Sequence, residues 1–179
     1  MHIAIVKSVF CTLFIYLIDL YKNIWYTYKV KIILISDSHG KIEYIENIFN
    51  NHEFDYLFFM GDGLSDLGDH IKDSNVYAVS GNCDGWDAIE PNEKTFNIGN
   101  FRFFITHGNK YGVKYAISPL ISRASEENVN VVCYGHTHRQ DIVEIDNVYY
   151  INPGSLKNGL GLVLELNNKN LSINLLKIW

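Results

Sequence analysis

Apolar residues in this chain gather into short runs that stop abruptly at polar, chemically active residues. Residues 31–36 are an almost unbroken Ile and Leu run, as in a strand buried on both faces, and lead into Ser36-Asp37-Ser38-His39-Gly40. A helix follows, with Ile42, Ile45, Ile48 and Phe49 on one face and Lys41, Glu43, Glu46 and Asn47 towards water. Residues 56–60 form a second buried run ending in Gly61-Asp62-Gly63, and residues 76–79 a third ending in Ser80-Gly81-Asn82-Cys83-Asp84. Residues 95–98 and 101–106 flank Gly99-Asn100, a hairpin signal, and the second of these strands ends in His107-Gly108. The spacing predicts a helix over about 113–128, with Pro119 in its first turns or breaking it. A strand over 129–133 then closes in Tyr134-Gly135-His136-Thr137-His138. The tail reads as strands over 142–145, 148–151, 160–166 and 171–178, with Asp146-Asn147 and Asn167-Asn168 as turns.

Parallel crossovers mix with hairpins in this order, which predicts two sheets packed together with helices outside. Five strand ends carry polar residues, as expected when an α/β site lies beyond the carboxyl ends of strands. On an extended backbone, His136 and His138 would point to the same side and feed one cluster.

Residues 1–29 differ in character from the rest, so the chain divides into an N-terminal extension and a domain over 30–179. The apolar run 9–18 is broken by Asp19 and Lys22, well short of the roughly 20 residues of a membrane-spanning helix. Val30 reads as the natural start of the domain, with translation beginning there at a GTG codon. An interfacial helix and a signal or anchor segment are the alternatives; Lys7 supplies a positive flank, but the bulky Asn23-Ile24-Trp25-Tyr26 makes a poor cleavage site.

The chain is 47% hydrophobic and 20% charged, suited to one domain with a sizeable core. A net charge of −5 without a basic block excludes an extended nucleic-acid footprint, though not a small phosphate ester whose charge metal ions would balance. Cys11, Cys83 and Cys133 are odd in number and form no CxxC pair, so neither a disulfide framework nor a cysteine zinc site is indicated, and a reducing cytoplasm is expected. His2, His52 and His70 lie outside any motif and read as surface residues.

The candidate ligands are Asp37, His39, Asp62, Asn82, His107, His136 and His138. Oxygen and imidazole donors without thiolate suit Mn, Fe, Zn, Ni or Mg. Seven donors exceed one tetrahedral site and fit two ions sharing a carboxylate, with Asp62, alone on its loop, the natural bridge. Two ions roughly 3.5–4 Å apart can clamp the attacking and departing oxygens of a phosphoryl transfer, and a bridging water between them becomes hydroxide near neutral pH.

Asp37-x-His39, Gly61-Asp62, Gly81-Asn82, His107-Gly108 and Gly135-His136-x-His138 together resemble the calcineurin-like metallophosphoesterase superfamily. Gly81-Asn82-Cys83-Asp84 and Asn152-Pro153-Gly154-Ser155 add the look of its small YfcE-type phosphodiesterase branch. The resemblance implies a four-layer α/β/β/α sandwich of two mixed sheets and a dinuclear site, often manganese-loaded, acting on a small phosphodiester or nucleotide. It implies that Asp37, His39 and His138 hold one ion and that Asn82, His107 and His136 hold the other, with Asp62 bridging. Asp62, Asn82 and His107 would then be the catalytic set. It also implies that the Asn152 turn supports the site, and it raises a homodimer.

Phosphomonoester or nucleotide pyrophosphate hydrolysis on the same site is the alternative activity. A binding scaffold like the related retromer subunit is the alternative class. Many superfamily members have histidine where this chain has Cys83, and a neutral thiol is a poor stand-in for imidazolium. Cys83 reads first as a small, half-buried filler and only second as a substrate contact; Arg139 is a candidate for the non-bridging phosphate oxygens. Asp66 reads either as a ligand-orienting acid or as an exposed helix-start residue.

Overall fold

The computed structural model describes residues 29–86, 88–168 and 170–178. The expectations for residues 1–28, Cys11 and His2 among them, lie outside the described residues. Among the described residues, ten strands form two five-stranded mixed sheets. In the first, β1 (Lys29–Ile35) runs parallel to β2 (Tyr56–Phe59), which runs parallel to β3 (Val76–Ala78). On its other side β1 pairs antiparallel with β9 (Leu162–Asn167), and β9 with β10 (Asn170–Leu175). In the second sheet β5 (Phe101–Thr106) lies antiparallel to β4 (Glu93–Ile98) and parallel to β6 (Val131–Cys133). There β8 (Val148–Pro153) runs parallel to β6 and antiparallel to β7 (Gln140–Ile145).

The period-2 alternation of side chains decides the layering. Ile32, Leu34, Phe58 and Met60 face inward and meet Phe103, Ile105, Val131, Cys133 and Ile151 of the opposite sheet. The intervening residues face outward: Ile33, Ile35, Leu57 and Phe59 pack on α1 (Ile42–Asn51) through Ile45 and Ile48. On the other face Phe104, Val132 and Tyr150 pack on α2 (Ser118–Glu127) through Leu120 and Ala124. The result is the expected four-layer α/β/β/α sandwich. Full burial of each such Ile, Leu or Phe contributes about 1.5–3 kcal/mol, so the four layers hold without a disulfide.

Three local expectations are corrected. The helix that Asp66 would start, the crossover expected between β2 and β3, is not an α-helix but a 3-10 run, Leu64–Lys72, kinked at Gly68 (φ 54°, ψ −130°). Ile42, placed on the inner face of α1, is half exposed, and the burial is carried by Ile45 and Ile48. The second helix begins at Ser118 rather than Val113 because Pro119 has no N–H for an interior helix bond and is tolerated only in the first turn. That helix ends on Asn128 in the left-handed region (φ 52°). The five residues freed ahead of it, 113–117, become a wall beside the site.

Candidate metal centre

Backbone bonds join the loop after β1 to that after β2, and the loop after β5 to that after β6. Asp37 N–H donates to the Gly61 carbonyl (2.9 Å), His39 N–H to that of Asp62 (3.4 Å), and Gly135 N–H to that of His107 (3.0 Å). The Gly61 and Gly81 loops touch so closely that a Cβ on Gly61 would lie 2.5 Å from Gly81 N. Five of the seven candidate ligands occupy left-handed backbone: Asp37 (φ 56°), His39 (44°), Asp62 (61°), His136 (67°) and His138 (60°). Non-glycine residues adopt it at a cost on the order of 1–2 kcal/mol each, so the surrounding contacts must hold these turns open.

This overturns the expected His136–His138 geometry. β6 ends at Cys133, both histidines turn through positive φ, and they face different partners instead of one side of a strand.

Three overlapping groups result, the donor atoms within each lying within 4.8 Å of one another: Asp37, His39 and His138; His39, Asp62 and Cys83; Asp62, His107 and His136. In the first, Asp37 Oδ1 lies 3.1 Å from His138 Nε2 and 3.7 Å from His39 Nε2, and the two imidazole nitrogens are 3.3 Å apart. In the third, His107 Nε2 is 3.3 Å from Asp62 Oδ2 and 3.1 Å from His136 Nδ1. Asp62 Oδ2 also lies 4.0 Å from His39 Nε2, so its carboxylate stands between the two ends of the cluster. Six of the seven candidates are thus brought together. Asn82 is exposed, and its amide N–H₂ donates to Cys83 Sγ (3.2 Å), which leaves its Oδ1 available as a ligand.

The donor set fits divalent cations. Asp37 Oδ1 is fully buried yet accepts no hydrogen bond, while its other oxygen takes bonds from Ser36 Oγ (2.7 Å) and His136 N–H (3.0 Å). A buried carboxylate oxygen left without a donor, opposite two imidazole nitrogens, is what a ligand awaiting a cation looks like. His107 Nδ1 lies 2.7 Å from the Met60 carbonyl; as the N–H donor there, it leaves Nε2 to face Asp62 and His136.

The electrostatics agree. Burial opposes ionisation of Asp62, but the facing His107 and the Cys83 N–H bonded to Oδ1 (2.7 Å) hold its carboxyl well below the usual range. Burial also opposes charge on His107, but Asp62, Asp37 and the Met60 carbonyl carry its pKa upward. His136 moves the other way, lowered by burial and then by the positive charge of His107 and Lys114.

Cys83 is not the half-buried filler expected of it. It is exposed, its Sγ belongs with His39 and Asp62, and hydrogen bonding to Asp62, burial and the surrounding carboxylates raise its pKa, so the thiol stays neutral. The loop following β3 projects it, because Asp84, one residue on, anchors that loop from below.

Asp84 is the residue the sequence undersold. Its Oδ2 accepts from Asp62 N–H (2.8 Å) and Gly81 N–H (2.7 Å), and its Oδ1 from Gly63 N–H (2.7 Å) and Leu64 N–H (2.8 Å). Asp66, also a buried residue rather than an exposed helix-start acid, takes Ser38 Oγ (2.6 Å) and Gly40 N–H (2.7 Å) and so fixes the His39 turn. Asn152 donates to the Gly135 carbonyl (2.8 Å) and Thr137 Oγ1 (3.1 Å), and Ser155 Oγ donates to the Asp37 carbonyl (2.8 Å). The Asn152 turn therefore supports both histidines of the last loop. The signal for Asp84 and Asp66 was an acid a few residues past a glycine turn, indistinguishable locally from a cap.

Arg139 is exposed and lines a cleft beside the cluster instead of pairing within it. His70 stacks on Phe49 with ring centroids 3.7 Å apart, 3.3 Å from Asp73, and His52 ends α1; neither belongs to the clustered donors, but both are half-buried rather than the surface residues expected.

The sequence profile described as the Calcineurin-like phosphoesterase superfamily domain matches residues 30–164. The chain belongs to that superfamily, and with it to the phosphoric ester hydrolases. It is 31% identical over 129 residues to the probable metallophosphoesterase YsnB of Bacillus subtilis, covering 72% of this chain and 76% of that one. It is 32% identical over 147 residues to phosphodiesterase MJ0936 of Methanocaldococcus jannaschii, covering 70% and 83%. The fold is shared with a predicted phosphoesterase of Streptococcus pneumoniae TIGR4, with a TM-score of 0.76 at 23% identity over 85% of this chain and 91% of that one.

Proposed function

We propose that the protein hydrolyses phosphodiesters at a centre of two divalent ions, manganese by preference, with nickel, magnesium, zinc or iron as substitutes. The observation that carries this reading is the position of Asp62, one carboxylate reaching both ends of a cluster whose far end holds the unbonded Asp37 Oδ1. Asp37, His39 and His138 would hold one ion, and His107 and His136 the other, joined by Asn82 through its amide oxygen, with the Asp62 carboxylate shared between them. When bound, such a pair supplies positive charge to the phosphate oxygens and a hydroxide nucleophile near neutral pH.

The chain's own residues prepare this. The Met60 carbonyl fixes the His107 tautomer, the Cys83 N–H holds one Asp62 oxygen, and Asn152 and Ser155 keep the histidine loop and the Asp37 turn in place. No imidazole occupies the Cys83 position, and a neutral thiol is a poorer proton donor to a departing alkoxide than an imidazolium. Esters with acidic leaving alcohols are therefore the favoured substrates. The relative named as a phosphodiesterase supports a diester over a monoester. Cys83 and Cys133 are free thiols, which accords with a reducing cytoplasm. Among the described residues no helix is long and apolar enough to cross a membrane.

The test strips the full chain with chelator and restores Mn, Ni, Mg, Zn or Fe separately. Hydrolysis of bis(p-nitrophenyl) phosphate is then compared with that of p-nitrophenyl phosphate. Metal-restored turnover with the diester ahead supports the proposal. A faster monoester makes the protein a phosphomonoesterase, and two tightly bound ions with no turnover make it a binding scaffold.

A further inference from the structure

An open cleft of about 680 Å³ is lined by Thr137 and Arg139, the residues on either side of His138. Residues 113–117, released from α2 by Pro119, form one wall, and Thr137, Arg139 and the start of β7 form the other. None of the candidate ligands lines it, but its walls neighbour the candidate metal centre, and Lys114 on one wall lies near enough to His136 to lower that imidazole's pKa. Thr137 lies between His136 and His138, and Val113 packs on Gly108 beside His107, so closely that a Cβ on that glycine would sit 2.9 Å from Val113 Cγ2. The volume is in the range of roughly 300–1,000 Å³ that takes a nucleotide-sized group.

Its charge is uneven. Lys114 and Arg139 both line it, both are exposed, and neither has an ion-pair partner among the described residues. The Arg139 backbone is instead fastened to Thr137 Oγ1 (3.2 Å), which fixes where the guanidinium starts. The cleft's acid, Asp141, is committed to the Tyr134 hydroxyl (3.2 Å). Tyr115, 96% exposed, presents a bare aromatic ring at the rim. In a chain of net charge −5, two cations without ion-pair partners lining one cleft with an exposed ring match a dianion attached to a planar or sugar-like group.

We propose that this cleft is a second phosphate subsite. The substrate is a phosphodiester one of whose ester groups is a phosphorylated nucleoside, its extra phosphate held by Lys114 and Arg139 and its ring covered by Tyr115. The proposal rests on the phosphodiesterase reading for the scissile bond, and the experiment separates the two. Two nitrophenyl esters share that bond and its leaving group: the p-nitrophenyl ester of thymidine 5′-phosphate and the same ester bearing a 3′-phosphate. With the metal-loaded full chain, the 3′-phosphorylated ester is expected to show kcat/KM about tenfold higher, mostly through KM. The ratio falls to about one in Lys114→Ala/Arg139→Ala and to about three in Lys114→Ala alone. Because the ratio is read within each variant, a change in the shared chemical step cancels.

Equal rates for the two esters in the wild type, or an undiminished ratio in the double variant, overturn the subsite. If neither ester is hydrolysed with any metal, the phosphodiesterase reading fails, and binding decides the subsite alone. Thymidine 3′,5′-bisphosphate is then titrated against thymidine 5′-phosphate on the chelator-treated chain. About tenfold tighter binding of the bisphosphate, lost in the double variant, supports the subsite; equal affinities reject it.

Discussion

Replacing Asp84 by alanine removes one carboxylate and leaves four backbone N–H groups, those of Asp62, Gly63, Leu64 and Gly81, without their acceptor. Each bond is 2.7–2.8 Å long and charge-assisted, and bonds of that kind contribute about 1.5–3 kcal/mol apiece. The four share one acceptor and one loop, so they do not add in full, and water entering the alanine cavity recovers part of the loss. A net destabilisation of about 3–5 kcal/mol follows, a large share of the 5–15 kcal/mol typical of a domain and worth roughly 10 °C in Tm. Asp84→Asn keeps one acceptor oxygen but turns an amide N–H₂ towards two donors, so it recovers less than half. Urea unfolding of the chelator-treated chain reads the stability, with an unchanged slope expected. Calorimetric titration of manganese reads the consequence for the site, because the Asp62 turn relaxes once its N–H is released. Wild-type stability within about 0.5 kcal/mol, together with unchanged metal affinity, would show that the four bonds do not set the loop.

Three further outcomes are expected. Asp62→Ala loses binding of both ions and nearly all diester turnover, and near-normal turnover in that variant would end its assignment as the bridge. Asn152→Ala, which frees the Gly135 carbonyl and Thr137 Oγ1, lowers stability by about 2–3 kcal/mol and weakens metal binding through His136 and His138; manganese titration beside thermal melting checks both effects. The His107 and Asp62 shifts predict opposite pH trends with and without metal. His107, raised above its ordinary 6.5, contributes stability that is fully present below 6.5 and lost as pH rises through its folded value. Asp62, lowered from 3.8, contributes stability present above 3.8 and lost only as pH falls through its folded value. The chelated chain is therefore expected to be most stable between about 4 and 6.5 and to melt lower towards pH 8.5, whereas metal affinity rises over the same interval as His107 gives up its proton. Parallel melting profiles in chelator and in manganese would contradict this.

The strand ends were legible because burial on both faces writes itself as an uninterrupted apolar run, and the residue that breaks each run marks where the strand leaves the sheet. That is why Asp37, His39, Asp62, His107, His136 and His138 could be picked from residue order alone, and why the layering followed once crossovers and hairpins were told apart. Pro119 equally announced a helix start, although the periodicity placed it five residues too early. The left-handed turns at the ligands could not be read this way. No local preference puts five non-glycine residues there; the conformations are held by partners across the chain, such as His136 N–H on Asp37, 99 positions away. The same holds for Asp84, whose donors lie up to 22 residues upstream, and for Asp66 on the His39 turn. Nor could the run pattern by itself separate His136 from His138, which only the family resemblance told apart, or bring Lys114 into one cleft with Arg139, since both depend on how two loops meet at one end of two sheets. Residue type and run length are local properties and survive in the sequence, whereas acceptor geometry and charge juxtaposition belong to pairs of distant residues and exist only once the sheets have packed.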